Sequence, residues 1–385
     1  MNKRRVTLLG STGSIGSTTI KVAEAIPNRM EIVGMAALRN ASKLAEAANR
    51  LRPAAVCIVD CSALPELKAG LAYSPEIYAG EDGLVQLSTR GDPDLVLVAI
   101  IGTAGLRPAL AAIDAGKDLA VASKEILVMA GEIVMSRARE KGVHVLPVDS
   151  EHNAIFQCLD GKSQQQIKNL ILTASGGPFR TWPAEKLDSI TPVEALQHPT
   201  WKMGPKITID SATLFNKGLE MIEARWLFGV PLNQVQVVVH PQSIVHSIVE
   251  FADGSMLAQL SHSDMCFPIQ YAVTWPDRVP NMLRPLKLHE IGRLDFEEPR
   301  FDTFPALSLA RKAGESGGIL PAVLNAANEI AVEAFLKGQI RFPRIWETVA
   351  STMQKTENLA SPSLDDIIRA DAQAREGAQE ALAKL

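Results

Sequence analysis

The sequence predicts an α/β protein in three parts: a doubly wound parallel sheet, an α+β domain and a small all-α C-terminal domain. Short β-branched runs alternate with helical patterns as far as residue 149, mixed strand and helix patterns follow, and only helical patterns remain near the C-terminus. Strands that alternate with helices at this spacing are typical of parallel sheets with helices on both faces. The expected segments are 1–149, 150–276, a proline-containing connecting arm at 277–305, and 306–385.

The first part contains six strand-like runs separated by helical patterns. The strand-like runs are Val6–Leu9, Ile32–Ala37, Ala55–Asp60, Leu95–Ile100, Leu119–Ala122 and Val143–Val148. The helical patterns include Ser17–Ala25, Ala41–Arg50, Gly105–Ala115 and Lys124–Glu140. Leu95–Ile100 is apolar throughout, which predicts a central strand buried on both faces.

The rest of the chain mixes fewer strands with more helices. The expected strands are Leu170–Thr173, Val235–Val239, Ser243–Phe251 and Met256–Leu260. Between the last two, Asp253-Gly254 is a hairpin signal. The expected helices are a short one near Pro192–Gln197 within a loop at 178–206, then Ala212–Phe228, Leu307–Ala313, Leu320–Lys337, Phe342–Gln354 and Leu364–Leu385.

Composition excludes several classes of function. The chain has 385 residues, of which 46% are hydrophobic and 21% charged, as in an ordinary globular protein of more than one domain. The net charge of −4 provides no field that would attract nucleic acid or an anionic membrane, so neither is an expected partner. The four cysteines form no CxxC pair and are expected to be buried thiols in a reducing compartment, with metal binding as the alternative.

The N-terminus suggests where the protein resides. Basic residues lead directly into a strand-like run, with no apolar signal region. No apolar run approaches the ~18 residues of a membrane span. We therefore expect a cytoplasmic protein.

A glycine-rich turn follows the first strand. Gly10, Gly13 and Gly16 have GxxGxxG spacing and stand between the first strand and the first helix. In this setting glycine lets the backbone approach a pyrophosphate at a helix N-terminus, which makes the first part Rossmann-like. The alternative is a tight turn that binds no ligand.

The end of the second strand indicates which dinucleotide binds. An NAD enzyme places Asp or Glu there for the ribose 2′-hydroxyl, whereas this chain has Leu38, Arg39 and Asn40, with no acid beside the arginine. A guanidinium can pair with a 2′-phosphate, so NADP(H) is favoured. The alternative is a solvated surface arginine.

Acidic residues follow the sixth strand-like run. Residues two apart in extended backbone point to the same side, so Asp149 and Glu151 could converge on a hard cation at the carboxyl edge of the sheet. The alternative is a helix N-cap, with Asp149 or Ser150 capping a helix that runs through Ile155.

The predicted helix at Ala212–Phe228 carries several polar residues on one side. Asn216, Lys217 and Glu220 lie within one turn of each other, and Ser211 is expected at the N-cap. A helix N-terminus with a hydroxyl, an amide and an ammonium suits a phosphate. A carboxylate beside a phosphate needs an intervening cation, so Glu220 is a candidate third metal ligand. The alternative is a Lys217–Glu220 surface pair.

Two further segments are candidates for ligand binding. The turn that contains Ser175 offers backbone amides that can form an anion nest. The loop from His198 to Gly204 also includes Trp201 and Met203, and a Trp in a polar loop suggests a cover over a ligand. The alternative is a small cluster packed under the loop.

Together these segments resemble those of 1-deoxy-D-xylulose 5-phosphate reductoisomerases over essentially the whole chain. The matching segments are Gly10–Gly16, Ser123–Glu125, Pro147–Phe156, Ser175–Arg180, His198–Gly204, Asp210–Thr213, Asn216–Glu220, His240–Ser243 and Leu324–Glu329. The resemblance implies NADPH, one divalent cation (Mg²⁺, Mn²⁺ or Co²⁺), a sugar-phosphate substrate and a homodimer. The implied reaction rearranges a carbon skeleton and then reduces an aldehyde, on the non-mevalonate route to isoprenoids.

The resemblance also implies a role for each candidate residue. The implied metal ligands are Asp149, Glu151 and Glu220. The implied substrate contacts are Lys124, Ser150, Glu151 and Glu220 near the metal, Ser175, Ser211, Asn216 and Lys217 around the phosphate, and His198, Trp201 and Met203 in a flexible lid. The implied catalytic residues are Lys124, Asp149, Glu151, His198 and Glu220. The implied NADPH contacts are Gly10, Thr12, Gly13, Ser14, Ile15, Arg39, Asn40, Ser123, Glu125 and Gly204.

The chain departs from the family pattern at two positions on the cofactor side. Ser123 stands where the family usually has Asn, and Leu38 where it usually has Gly. A serine still donates and accepts hydrogen bonds, so we expect the nicotinamide contacts to be altered and not abolished. We expect the Leu38 side chain to change the contacts to the adenosine.

Two other functions compete with this interpretation. Another NADP-linked enzyme, such as an amino-acid-pathway dehydrogenase, would need no set of three carboxylates. A non-enzymatic NADP-sensing regulator would keep the glycine turn and lack that set.

Overall fold

The computed structural model describes residues 3–383, which form two compact units. The strands of the described chain are β1 (Arg4–Leu9), β2 (Met30–Ala37), β3 (Ala55–Ile58), β4 (Glu76–Ala79), β5 (Leu95–Val98), β6 (Asp118–Val121), β7 (Val145–Pro147), β8 (Ile167–Ala174), β9 (Val235–Val239), β10 (Val245–Phe251) and β11 (Met256–Leu260). The helices before residue 265 are α1 (Ser14–Ala25), α2 (Ala41–Leu51), α3 (Leu64–Gly70), α4 (Gly80–Ser88), α5 (Leu106–Asp114), α6 (Glu125–Lys141), α7 (Ser150–Cys158), α8 (Pro192–Ala195), α9 (Pro205–Thr213) and α10 (Phe215–Phe228). Those after it are α11 (Cys266–Thr274), α12 (Leu288–Ile291), α13 (Ala306–Ser316), α14 (Leu320–Leu336), α15 (Arg344–Lys355) and α16 (Leu364–Ala383).

The first unit is built on a parallel sheet of seven strands. It runs to Ile126 and also includes Glu132–Asn153 and Asp264–Pro285. The strand order is β4-β3-β2-β1-β5-β6-β7, and every neighbouring pair is parallel. Successive strands add to one side of β1 and then to the other, so the predicted doubly wound α/β fold is confirmed. All four residues of β5 are buried, as expected for a central strand.

Several elements of this unit were not predicted from the sequence, among them β4 and α11. β4 is a four-residue edge strand, Glu76–Ala79, whose side chains are only partly buried, so its hydrophobic pattern is weak. α11 lies where no helix was expected, and nearly all of its residues are buried. A helix that is apolar on all sides lacks the amphipathic period by which surface helices are recognised.

The second unit combines a small sheet with the C-terminal helices. It contains Leu127–Gly131, Ala154–Ser263 and the chain from Leu286 onward. Its sheet has the order β11-β10-β8-β9, with β8 parallel to β9 and antiparallel to β10. The expected hairpin is present, because Gly254 turns the chain between β10 and β11 with φ of +84°. This mixed sheet confirms the predicted α+β character.

One hydrophobic core joins the sheet of the second unit to the C-terminal helices. Its buried residues include Leu172 of β8, Phe215 of α10, Leu324 of α14 and Val349 of α15. The all-helical C-terminal pattern is confirmed, although the last two residues of the predicted final helix lie outside the described chain. The contacts group the chain differently from the predicted segments, because 264–285 packs in the first unit. The predicted division into domains 1–149, 150–276 and 306–385 with an arm at 277–305 stays a prediction.

The predicted helix at Ala212–Phe228 is two helices. Leu214 lies between α9 and α10 with φ of +68°, a left-handed conformation that a leucine adopts only under strain. The apolar pattern continues across the break, which is why the sequence indicated one helix. Ser211 therefore belongs to α9, and the expected N-cap position for Ser211 is wrong.

Cysteine burial was predicted correctly at three of the four positions. Cys57, Cys158 and Cys266 are buried, Cys61 is exposed, and none of the four forms a disulfide within the described chain. Burial raises the pKa of the Cys57 and Cys266 thiols to about 12. None of the helices between residues 3 and 383 is both long enough and apolar enough to cross a membrane.

Candidate active site

The glycine turn after β1 has the geometry expected of a dinucleotide-binding loop. Gly10 has φ of +94°, and a Cβ added there would lie 2.4 Å from the Ala99 carbonyl oxygen. A Cβ on Gly16 would lie 2.2 Å from the Gly10 carbonyl oxygen. Gly13 stands at the N-cap of α1, and no side chain caps that helix end. The turn therefore directs free helix N–H groups outward, with Thr12, Ser14 and Ile15 beside them.

The end of β2 presents the expected residues, with one correction. Leu38 is 58% exposed, Arg39 is exposed, and the Asn40 side chain caps α2 by accepting from Lys43 N at 3.1 Å. An acid does lie near Arg39, although none is beside it in sequence. Hydrogen bonds from Ser62 hold the pKa of Asp60 below its ordinary value, and the charge of Arg39 adds to this shift. Asp60 follows β3, and nothing in the sequence indicates that the charge of Arg39 acts on it.

The ends of β6 and β7 bring together buried polar side chains. Ser123 Oγ donates to Glu125 Oε2 at 3.0 Å, so its hydroxyl proton is engaged within the protein. Lys124 is buried, and its Nζ lies 3.0 Å from Asp149 Oδ2. A buried ammonium beside a carboxylate stabilises the ionised form of both groups.

Asp149 and Glu151 converge for a different reason from the expected one. α7 begins at Ser150, so Glu151 lies in a helix and the extended-strand argument for this pair is wrong. Asp149 Oδ1 accepts from Glu151 N at 3.2 Å, which is the N-capping arrangement considered as the alternative. Ser150 Oγ donates to Glu151 Oε2 at 2.7 Å. The helix N-terminus thus orients both carboxylates.

Three carboxylates lie close enough together to hold one cation. Oxygen atoms of Asp149, Glu151 and Glu220 lie within 4.8 Å of one another. Glu220 is fully buried, whereas the other two are partly exposed. Carboxylate oxygens are the ligands that Mg²⁺ and Mn²⁺ prefer, so the residues present fit a divalent metal.

The start of α10 carries the expected polar residues, and they are buried. Asn216 Nδ2 donates to Glu220 Oε1 at 2.6 Å, and Lys217 forms an ion pair with Glu220. Lys217 is 4% exposed and Glu220 0%. The alternative of a surface pair is therefore excluded, and this much buried charge requires compensation by partners or ligands.

Two serine hydroxyls converge on the His198 imidazole. Ser175 Oγ and Ser211 Oγ lie 2.9 and 3.1 Å from His198 Nε2. His198 Nδ1 accepts from Trp201 N at 2.9 Å, so the proton of the neutral ring belongs on Nε2. Burial lowers the pKa of His198 to about 4, which keeps the ring neutral near pH 7. Trp201 packs edge-on against His246, a contact that also fits the alternative of a cluster packed under the loop.

Family comparisons cover nearly the whole chain. The model for 1-deoxy-D-xylulose 5-phosphate reductoisomerase matches residues 6–131, and its C-terminal domain model matches residues 145–228. A further model, the DXP reductoisomerase C-terminal domain, matches residues 260–377.

Individual relatives agree with these family models. The 1-deoxy-D-xylulose 5-phosphate reductoisomerase of Exiguobacterium sibiricum is 50% identical over 373 residues, which are 97% of each chain. The solved reductoisomerase of Zymomonas mobilis in complex with NADPH has a TM-score of 0.94 at 45% identity and covers 100% of both chains. A DOX-P reductoisomerase in complex with NADPH, fosmidomycin and magnesium has a TM-score of 0.91 at 39% identity, with 99% and 98% coverage.

Proposed function

The chain belongs to the 1-deoxy-D-xylulose 5-phosphate reductoisomerase family, and we propose here which residues carry out its reaction. The protein is an NADPH-dependent oxidoreductase that rearranges and reduces 1-deoxy-D-xylulose 5-phosphate to 2-C-methyl-D-erythritol 4-phosphate with a divalent cation. This reaction belongs to the non-mevalonate route to isoprenoid precursors. The observation that carries the residue assignment is the group of three carboxylates beside the buried Lys217.

Asp149, Glu151 and Glu220 hold the cation in this proposal. Their oxygens lie within 4.8 Å of one another, and Ser150 and the start of α7 fix the orientation of two of them. Mg²⁺, Mn²⁺ or Co²⁺ bound there supplies a Lewis acid for the ketone and adjacent hydroxyl oxygens of the substrate. Lys124 pairs with Asp149, and the ammonium of Lys124 and the helix N-terminus at Ser150 present donors to those substrate oxygens.

The substrate phosphate binds at Ser175, Ser211, Asn216 and Lys217. Each of these residues offers a donor, and the two serines already share one partner in His198 Nε2. A phosphate in this position would accept hydrogen bonds from the two serine hydroxyls, which keep their own protons while their oxygens share the single Nε2–H of His198. Because the phosphate does not react, its binding energy serves to hold the carbon fragment in place while a C–C bond breaks and reforms.

The segment from His198 to Gly204 acts as a lid. It joins α8 to α9 without regular secondary structure, and Trp201 and Met203 within it are half-buried. When such a segment covers bound substrate it excludes water from the reduction step. Gly204 stands at the N-cap of α9, and in this proposal its backbone N–H group faces the cofactor.

NADPH, which supplies the hydride, binds along the carboxyl edge of the parallel sheet. Gly10, Thr12, Gly13, Ser14 and Ile15 receive the pyrophosphate at the start of α1. Arg39 and Asn40 at the end of β2 contact the adenosine side. Ser123 and Glu125 contact the nicotinamide side. The Ser123 hydroxyl donates its hydrogen bond to Glu125, so its oxygen is the atom that can accept a hydrogen bond from the cofactor.

Changing Arg39 to Asp should reduce the preference for NADPH over NADH by roughly 1–3 kcal/mol, the scale of a charge-assisted hydrogen bond. The ratio of kcat/KM for the two cofactors measures this preference. Arg50→Asp makes the same charge change on α2, where the side chain is half exposed, and should leave the ratio unchanged. Equal efficiency of the unmutated enzyme with both cofactors would refute the assignment of Arg39.

The enzyme forms a homodimer through β11. This strand lies at the edge of its sheet and exposes Met256 and Leu257. An exposed apolar edge strand is suited to pairing with a second copy. Sedimentation of the intact protein should give a dimer, and Leu257→Lys should weaken it, whereas a monomeric unmutated protein would contradict the proposal. We also place the protein in the cytoplasm, where thiols stay reduced, because none of its four cysteines forms a disulfide within the described chain.

One assay tests the function as a whole. Oxidation of NADPH is followed with the phosphorylated substrate, with and without Mg²⁺. We expect turnover that depends on both substrate and cation and that EDTA abolishes. EDTA-resistant reduction of the same substrate would contradict the role of the three carboxylates.

A further inference from the structure

A buried carboxylate on α9 connects two helices of the second unit. Asp210 is 1% exposed, and each of its two carboxylate oxygens has a partner. Asn328 Nδ2, from α14, donates to Asp210 Oδ1 at 2.7 Å. Lys206 Nζ, one turn earlier on α9, lies 2.7 Å from Asp210 Oδ2. α9 is thus tied to α14 through a charge-assisted hydrogen bond at a point where the two helices pack together.

The orientation of the Asn328 amide is set by this contact. A carboxylate accepts hydrogen bonds, so the amide nitrogen and not the oxygen must face Asp210. Asn328 is 0% exposed, and its Oδ1 has no hydrogen-bond partner among the described residues. A buried acceptor without a partner lowers stability. The orientation that presents the amide donor to Asp210 therefore lowers the stability of the folded protein, because it leaves Oδ1 without a partner among the described residues.

Asp210 lies between two parts of the proposed active site. The Oγ of Ser211, the next residue, lies 3.1 Å from His198 Nε2. Lys206 follows Gly204, the last residue of the lid, by two positions. A shift of α9 along its axis would therefore move a phosphate-binding hydroxyl and the attachment point of the lid together.

We propose that Asn328 is a positioning residue for substrate binding, acting through Asp210. It fixes α9 so that Ser211 meets the phosphate and the lid closes from a fixed attachment point. This inference rests on the proposed function. Asn328 touches neither the substrate nor the cofactor in this arrangement.

The test compares Asn328→Ala with Asn325→Ala in the full-length enzyme with Mg²⁺ and NADPH. Asn325 is equally buried one turn earlier on α14, also has an unpartnered Oδ1 among the described residues, and donates to Glu329 instead of to α9. We expect Asn328→Ala to raise the Kd of fosmidomycin and the KM of the phosphorylated substrate about tenfold. Asn325→Ala should lower the melting temperature comparably and change both constants less than twofold. If the two variants shift these constants equally, or if neither does, the proposal is wrong.

A reciprocal exchange provides the second measurement. Asn328→Asp alone places two carboxylates against each other and should impair binding at least as much as the alanine variant. Adding Asp210→Asn restores a donor–acceptor pair of reversed direction and should return the Kd to within about threefold of the original. If the double variant does not recover the Kd, the proposal is wrong. If Asn328→Ala does not fold, the Kd of the double variant alone tests the proposal. A failure of the proposed function would instead appear in the unmutated enzyme, as absence of Mg²⁺-dependent turnover.

Discussion

Replacing Glu220 by Gln should reduce turnover by about 1,000-fold, equivalent to about 4 kcal/mol of transition-state stabilisation. The change keeps the size of the side chain and an oxygen for the hydrogen bond from Asn216, but removes the charge that faces the cation. Affinity for Mn²⁺, measured by electron paramagnetic resonance, should fall by more than the roughly 10–100-fold typical of losing an outer partner of a metal ligand. NADPH binding, which depends on the parallel sheet, should remain.

Glu223→Gln is the matched control for this change. Glu223 lies one turn further along α10 and is as deeply buried, but it is not part of the acidic group. Both variants remove a buried negative charge from the same helix, so both should lower the melting temperature. Only the Glu220 variant should lose metal affinity. A Glu220→Gln enzyme that turns over normally at low Mg²⁺ would remove this residue from the metal site.

The fold was predictable where local patterns reflect burial. β5 is apolar in sequence because both of its faces are covered, and the glycine turn after β1 needs residues without a Cβ. Prediction failed where neighbours distant in sequence determine the structure. Leu214 adopts a strained left-handed conformation between α9 and α10, and the apolar pattern, which is helical on both sides of it, does not indicate the break.

The candidate site shows the same division. The residue types needed for a cation and a phosphate are recognisable in the sequence, because each ligand accepts only certain donors. The partners of these side chains are not recognisable in the sequence, because they depend on contacts between segments far apart in the chain. The charge of Arg39 acts on Asp60, which follows another strand, and Asn328 donates to Asp210 across 118 positions. The motif at Leu324–Glu329 is visible in the sequence, but nothing in its spacing indicates a partner on α9.

Changing Lys217 to Ala should weaken phosphorylated ligands by about 10- to 100-fold, since a hydrogen bond from a charged donor contributes about 1.5–3 kcal/mol. The KM for the phosphorylated substrate and the Kd of fosmidomycin should rise together. Turnover should fall as well, because the fragment held by its phosphate is less well positioned during bond cleavage. Lys168→Ala, which removes an exposed lysine from the same unit, should change none of these quantities.

A substrate without the phosphate separates binding from structure at Lys217. Lys217 pairs with Glu220, so its removal can also act through this carboxylate instead of the phosphate. The unphosphorylated sugar, deoxyxylulose, should be a poor substrate for the unmutated enzyme, and hardly worse for the variant. An effect through Glu220 would instead weaken Mg²⁺ binding and impair both substrates equally. Equal losses with the two substrates would therefore assign Lys217 to the support of Glu220 and place the phosphate pocket elsewhere.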